Sequence, residues 1–204
     1  MEIVVDNKHI FYDQLGLGSK DIVMLHGWGQ NMEMMRPLAI KLLNDKNIKN
    51  NYRITILDLP GFGASSEPDM DTDVFSYTKL IEDFLIALKI SKPIMLGHSF
   101  GGRLSIIYSS RNETEKVILF GAPCIREYKP TFKEKVLKSL KKIPFTKDLV
   151  ELAKQYIGST DYKNASPVMR SVLVNTINQD LSECAKKITA PTLLIWGSLD
   201  TAAP

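Results

Sequence analysis

Cysteine and histidine are scarce in this sequence, with two cysteines and three histidines among 204 residues. Cys124 and Cys184 show no metal-ligand spacing, so we predict no metal site and expect free thiols, with a disulfide as the alternative. The glycines follow neither a dinucleotide-binding nor a phosphate-binding pattern. No cofactor is therefore expected.

Long apolar runs and a strong charge of one sign are also absent. No uninterrupted apolar segment approaches the roughly 20 residues that a membrane helix needs, and the amino terminus lacks the basic and apolar regions of a signal peptide. The formal net charge of +3 is too small to indicate nucleic-acid binding. We therefore predict a cytoplasmic protein that binds neither membranes nor nucleic acids.

Short apolar segments alternate with helical patterns along most of the chain. This alternation predicts the α/β fold class, with a mostly parallel central sheet flanked by helices. Residues 3–5 and 9–12 are predicted to form a leading antiparallel pair, and Asp73 or Ser76 is predicted to cap a helix. Further strands are predicted at residues 22–25, 52–57, 93–96, 117–120 and 192–196, and further helices at residues 32–43 and 102–108.

The alternation stops between residues 124 and 188, where lysine-rich helical patterns replace it. We therefore predict a core domain at residues 1–123, a helical cap at 124–188 and a return to the core at 189–204. Two interpretations of the cap's charge are open: a solvated helix face, or a lid that attracts an acidic substrate or carrier protein. The charge is concentrated at Lys133, Lys135, Lys138, Lys141 and Lys142.

The most informative segment is residues 97–101, with the sequence Gly-His-Ser-Phe-Gly. A buried strand is predicted before it and a helix after it, which is the setting of a nucleophile elbow. The two glycines permit a sharp turn with a strained serine at its centre. We therefore predict that Ser99 is a catalytic nucleophile rather than an ordinary turn residue.

A second motif, His-Gly-Trp-Gly at residues 26–29, lies at the end of a predicted parallel strand, where open α/β sheets bind ligands. The backbone N–H groups of Trp28 and Phe100 are predicted to form an oxyanion hole. His26, Gly27 and Gly29 are predicted to support this loop, with local hydrogen bonds from the histidine. A plain glycine turn is the alternative.

Taken together, these segments resemble the α/β-hydrolase fold family over essentially the whole chain. Residues 58–65, Asp-Leu-Pro-Gly-Phe-Gly-Ala-Ser, look like the segment after the family's fourth strand, and residues 194–200 look like its acid-bearing loop. Ser99 followed by Asp200 is the family's order of nucleophile and acid. The resemblance implies the α/β-hydrolase fold, similar to bacterial carboxylesterases, with a helical cap inserted after the sixth strand and Asp200 orienting a catalytic histidine.

The resemblance also implies a histidine past one further strand, with a last helix after it, whereas the sequence ends at Pro204. His98 adjoins Ser99 and should face away from the serine oxygen. His26 belongs to the oxyanion loop and His9 to the leading hairpin, so neither is expected to act as the base. We therefore expect a chain that is truncated before the catalytic histidine, with its last strand and helix missing and its hydrolysis impaired.

The implied activity is serine hydrolysis of a small carboxylic ester or thioester through an acyl-enzyme. One alternative is a carbon–carbon bond hydrolase or a haloperoxidase-type activity on the same residues; another is a non-catalytic binding protein. An acidic carrier protein is a candidate partner through the basic cap. Without a neighbouring strand, residues 192–196 would form an unpaired edge, which predicts self-association.

Overall fold

A computed structural model of the protein describes residues 1–125 and 160–200. In these residues the chain forms a seven-stranded sheet with the order β1-β2-β4-β3-β5-β6-β7. The strands are β1 (Glu2–Val5), β2 (Lys8–Leu15), β3 (Lys20–Leu25), β4 (Tyr52–Leu57), β5 (Ile94–His98), β6 (Lys116–Phe120) and β7 (Thr192–Ile195).

An antiparallel hairpin leads into a parallel sheet. Strands β1 and β2 are antiparallel, and both residues of their turn, Asp6 and Asn7, have positive φ angles of 47° and 58°, as a tight two-residue hairpin turn requires. Strand β2 pairs antiparallel with β4, and the pairs from β4 through β3, β5 and β6 to β7 are all parallel. The predicted mostly parallel α/β sheet is therefore confirmed.

The helices of the described residues follow most of the predicted positions. Asp73 caps α3, because its carboxylate accepts a hydrogen bond of 2.7 Å from the Ser76 N–H. The elements are a 3₁₀ turn (Met32–Met34), α1 (Arg36–Leu43), α2 (Lys46–Asn51), α3 (Val74–Ala87), α4 (Phe100–Ser109), α5 (Thr160–Asn164), α6 (Pro167–Asn178) and α7 (Ser182–Ala185).

Two details of the helix prediction were wrong. The single helix predicted over residues 32–43 is a 3₁₀ turn followed by α1, with a proline in the first turn of α1. Helix α2 was not predicted, since its sequence Lys-Asn-Ile-Lys-Asn-Asn has no apolar repeat. It begins because the Asp45 carboxylate accepts hydrogen bonds from the N–H groups of Asn47 and Ile48.

Alternate residues of the parallel strands pack on opposite faces of the sheet. In β3, Ile22 and Met24 join a cluster with Ala39 of α1. Val23 and Leu25 join a second cluster with residues of α3, α4 and α6. Because both faces are covered by apolar contacts, the buried part of β3, residues 22–25, is apolar at consecutive positions rather than at alternate ones.

The predicted cap lies partly outside the described residues. Its described part contains α5, α6 and α7, and its five clustered lysines fall outside it. Helix α6 packs its buried face, which includes Met169 and Val172, on the same cluster as α3 and α4. The boundaries 1–123, 124–188 and 189–204 stay a prediction.

Strand β7 is the outer strand on its side of the sheet formed by the described residues. All four of its residues are exposed, including Leu193 at 53% and Leu194 at 62%. An exposed apolar strand with one unpaired edge is a template for pairing with another chain. Self-association through residues 192–196 stays a prediction.

Candidate active site

Ser99 lies between the last residue of β5 and the first residue of α4, in a strained conformation. Its φ is 50° and its ψ is −110°, outside the regions that non-glycine residues usually adopt. Its N–H donates a hydrogen bond of 2.9 Å to the Phe120 carbonyl, and its carbonyl accepts one of 3.1 Å from the Arg103 N–H. These bonds hold the turn, and the serine side chain stays partly exposed at its apex.

The turn needs glycine at position 101 because helix α4 lies almost on the end of strand β3. A Cβ atom on Gly101 would lie 2.3 Å from the Leu25 carbonyl oxygen. At this close approach the Gly101 N–H donates a hydrogen bond of 3.1 Å to the His26 carbonyl. The elbow and the loop at residues 26–29 are therefore joined directly through their backbones.

The side chain of His26 holds the same loop from inside. His26 is fully buried, and its Nε2 accepts a hydrogen bond of 3.0 Å from the Leu59 N–H. Its proton must then be on Nδ1, which donates to the Gly27 carbonyl at 2.8 Å. Burial lowers the pKa of His26, so the ring is neutral in its structural role. The expected local hydrogen bonds of His26 are confirmed.

The Gly27 N–H is also engaged, by the side-chain oxygen of Gln30 at 3.0 Å. In contrast, the backbone N–H groups of Trp28 and Phe100 have no hydrogen-bond partner within the part of the chain that the structure describes. They belong to the loop and the helix that meet beside Ser99. The rings of these two residues are in edge-to-face contact, with centroids 5.2 Å apart. Two unpaired donors beside a partly exposed serine can stabilise a negative oxygen.

Two aromatic residues brace this arrangement, and the sequence did not single them out. The Phe62 ring packs edge-on to Trp28, with centroids 5.0 Å apart, and it also contacts Phe100. The Tyr77 ring of α3 contacts Phe100 at 5.1 Å, and its hydroxyl donates to the Pro60 carbonyl. Complete burial raises the pKa of Tyr77 well above its usual value, so it stays a donor.

Asp58 organises the neighbouring loop rather than reaching the serine. Its buried carboxylate accepts hydrogen bonds from the Met32 N–H at 2.8 Å and from the Ala64 N–H at 2.9 Å. The loop at residues 58–65 and the segment after the oxyanion loop are thereby held together. The sequence indicates no role for Asp58 within the family-like segment at residues 58–65, because its partners are backbone groups.

Asp200 lies near the same strand end as Ser99. Its carboxylate faces Gly121, since a Cβ atom built on Gly121 would lie 2.9 Å from Asp200 Oδ2. Gly121 directly follows Phe120, whose carbonyl accepts the hydrogen bond of the Ser99 N–H. The structure therefore brings Ser99 and Asp200, separated by a hundred residues, to the carboxyl end of β6.

All three histidines lie in the described residues, and no ring nitrogen of theirs hydrogen-bonds to Ser99 there. His98 is partly buried, with its Nδ1 packed against Gly27 and without a hydrogen-bond partner in the described part. Burial lowers the pKa of His98, opposed in part by the charge of Asp200. His9 is in the leading hairpin, beside Glu2. None of them is arranged as a base for the serine.

A cavity of about 450 Å³ opens beside the oxyanion loop. It lies between that loop and helix α6, and Trp28, one of the two residues predicted to form the oxyanion hole, lines it. Residues from both sides line it, among them Trp28, Gly29, Phe62, Glu67, Asp161 and Met169. Within residues 1–125 and 160–200, no group of three or more His, Cys, Asp and Glu side chains could hold a metal ion.

Comparison with known proteins agrees with this geometry. The family model described as alpha/beta hydrolase fold matches residues 21–122, which is half of the chain. The chain belongs to the α/β-hydrolase fold family. The match spans strands β3 to β6 together with the oxyanion loop and the elbow, so the resemblance stated from the sequence is confirmed.

Similar proteins extend the comparison beyond this segment. A pimeloyl-[acyl-carrier protein] methyl ester esterase of Wigglesworthia glossinidia brevipalpis is 27% identical, over 97% of this chain and 81% of its own length. An esterase structure from Exiguobacterium antarcticum has a TM-score of 0.71 at 24% identity, over 100% of this chain and 83% of its own. A bromoperoxidase structure from Bacillus anthracis has a TM-score of 0.73 at 22% identity, over 100% of this chain and 84% of its own. At these identities the two structures show the shared fold alone.

The comparisons identify this α/β-hydrolase chain as carboxylesterase-like. Of its helices within the described residues, none is long and apolar enough to cross a membrane.

Arg103 of α4 is a further residue that the sequence analysis did not single out. The signal that points to it is that Arg103 is the one charged residue of α4, whose residues are all buried.

Gly101→Ala tests the contact between the elbow and strand β3. We expect a loss of about 1–3 kcal/mol in the free energy of unfolding, because the added methyl group meets backbone atoms that cannot move aside. Gly197→Ala is the matched control, since nothing lies within 4 Å of a Cβ atom there. Chemical denaturation measures both variants. Equal stability of the two would show that the contact at position 101 can relax without cost.

The pH dependence of stability tests the buried His26. Its pKa is lowered in the folded state, so below the ordinary value of 6.5 the unfolded state binds more protons than the folded state. We therefore expect stability to fall as the pH decreases below this value, by at most about 1.4 kcal/mol per pH unit for this group.

His26→Gln should reduce that slope, because the substitution removes the buried titrating ring. Some slope should remain in His26→Gln, because burial also lowers the pKa of His98. Thermal unfolding measured across this pH range gives the comparison. Identical slopes in the wild type and His26→Gln would contradict the role assigned to the buried ring.

Proposed function

We propose that this protein is a serine hydrolase of carboxylic esters or thioesters and that Ser99 is its nucleophile. The observation that carries the proposal is the strained Ser99 beside the N–H groups of Trp28 and Phe100, which have no hydrogen-bond partner among residues 1–125 and 160–200. Strain of this kind is retained where surrounding structure enforces it, and such positions cluster at active sites. The esterases among the relatives support the same reaction class.

In the proposed reaction, the Ser99 oxygen attacks the carbonyl carbon while its proton passes to a base. The carbonyl oxygen becomes negative and is held by the N–H groups of Trp28 and Phe100. The tetrahedral intermediate expels the alcohol or thiol, which takes up the proton, and leaves an acyl group on Ser99. Water then attacks the acyl group, which yields the carboxylic acid and restores the serine.

Asp200 is proposed to orient the base, which in this mechanism is a histidine. His26 is occupied at both ring nitrogens, and His98 has its Nδ1 against Gly27. We therefore propose that a polypeptide of these 204 residues hydrolyses esters slowly. Loss of one member of a catalytic triad typically costs about 10⁴ to 10⁶ in turnover.

Chemical rescue with imidazole tests both parts of this proposal. The substrate is p-nitrophenyl acetate, and the variants are Ser99→Ala and the control Ser110→Ala at the end of the same helix. We expect slow hydrolysis by the wild type, and acceleration by added imidazole in the wild type and Ser110→Ala. Ser99→Ala should show only the background reaction of imidazole itself.

Two outcomes would contradict the proposal. A wild type that never exceeds Ser99→Ala, with or without imidazole, would exclude Ser99 as the nucleophile and favour the non-catalytic binding protein. Rapid hydrolysis without imidazole would show that one of the histidines present acts as the base. Intact-mass detection of an acetyl group on the wild type, absent from Ser99→Ala, checks the acyl-enzyme directly.

We propose further that the acyl group arrives on an acidic carrier protein. The first support is the lysine-rich sequence between residues 126 and 159, and the second is the relatives named for an acyl-carrier-protein ester. We expect that binding of an acylated acidic carrier to Ser99→Ala weakens as ionic strength rises, because salt screens exposed charges. Charge reversal at Lys135, Lys138 and Lys142 should remove this salt dependence. Binding that changes neither with ionic strength nor with the charge reversals would contradict the proposal of an acidic carrier protein.

A further inference from the structure

Helix α4 contains one buried arginine that the proposed mechanism does not use. Arg103 is 6% exposed, and its guanidinium donates to three backbone carbonyls rather than to a carboxylate. The acceptors are Pro123 at 2.7 Å, Thr176 at 2.8 Å and Gln179. The first lies in the loop after β6, and the other two lie at the carboxyl end of α6.

The last carbonyl groups of a helix have no N–H of a following helical turn to accept from, so they need other donors. A guanidinium is well suited to them because its planar donors can reach several acceptors at once and it carries a charge that favours a helix carboxyl terminus. The neighbouring backbone supports the junction, since the Leu181 N–H donates to the Cys124 carbonyl at 3.0 Å. The elbow helix, the exit from β6 and the end of α6 therefore meet at one side chain.

The opposite end of α6 reaches the candidate active site. Met169 is 3% exposed, and its sulfur would lie 2.3 Å from a Cβ atom on Gly61, so the helix sits directly on that loop. Met169 also lines the cavity of about 450 Å³ together with Trp28. From Met169 to Thr176 the helix is about 10 Å long, at 1.5 Å per residue. The helix that Arg103 holds at one end therefore forms part of the cavity wall at the other.

We infer that Arg103 is a positioning residue that holds α6 over the site and thereby sets how long an acyl chain the cavity admits. Arg103 follows Ser99 by one helical turn, and the Arg103 N–H donates to the Ser99 carbonyl. The same turn of α4 therefore contacts Ser99 through the Arg103 N–H and the end of α6 through the Arg103 guanidinium. This inference on chain length rests on the proposed hydrolase function, whereas the anchorage of α6 does not.

The first arm of the test is independent of activity. Hydrogen exchange is compared in the wild type, Arg103→Lys, Arg103→Gln and the control Arg53→Gln, whose arginine pairs with Asp21 near the amino ends of β3 and β4. In Arg103→Gln we expect exchange in α6 to be faster by about tenfold, the size of losing a hydrogen bond to a charged group, with α3 unchanged. Arg103→Lys should be intermediate, because it keeps the charge but loses the planar fork.

The second arm measures chain length. Ser99 is labelled with a short-chain and a long-chain alkyl fluorophosphonate in the presence of imidazole, and the ratio of the two rates is compared among the variants. In Arg103→Gln we expect the ratio of long-chain to short-chain labelling to change by about fivefold or more, because a longer chain makes more contacts with the cavity wall. We expect partial recovery in Arg103→Lys and no change in Arg53→Gln.

The outcomes separate the two proposals. Unchanged exchange in α6 would overturn the anchorage by Arg103. Altered exchange with equal loss of both labelling rates would leave a purely structural arginine and overturn its effect on chain length. A wild type that is not labelled by either reagent contradicts the proposed nucleophile, while the exchange arm still decides the anchorage. Should Arg103→Gln fail to fold, Arg103→Lys carries both arms.

Discussion

The close approach of helix α4 to the end of strand β3 is the constraint on which the candidate site depends. Only a hydrogen atom at position 101 allows the helix to lie against the Leu25 carbonyl, and only that approach lets the Gly101 N–H reach the His26 carbonyl. The loop that carries Trp28 and the helix that begins at Phe100 are brought together beside Ser99 as a consequence. The geometry of the proposed oxyanion hole is therefore a result of backbone packing.

Buried polar side chains also hold the loops around the candidate site in place. The loops at this end of the sheet cannot satisfy their N–H and carbonyl groups by strand pairing, and buried unpaired groups are costly. His26, Asp58 and Arg103 each serve backbone groups from two or more segments distant in sequence. Each is a charged or titratable residue used as a connector, and none is placed to react with a substrate.

The central strands were predictable because both faces of the parallel sheet are buried there. Strand β4 was predicted with its observed bounds, and β3, β5, β6 and β7 to within two residues at each end, from short, mainly apolar segments. The structure of residues 32–51 was harder to predict from the sequence. This segment forms a 3₁₀ turn and two short helices, with caps at Asn31 and Asp45 that depend on one or two side-chain hydrogen bonds rather than on an apolar repeat.

Sequence alone determined the family, the position of the strained serine and the loop expected to face it. These follow from local rules, since a glycine-flanked serine between an apolar strand and a helix has few other conformations. Only the tertiary structure decided what surrounds them: the buried His26, the braces from Phe62 and Tyr77, and the junction at Arg103. The partners of His26 and Arg103 are backbone atoms up to 76 residues away, and a backbone partner has no signature in the sequence.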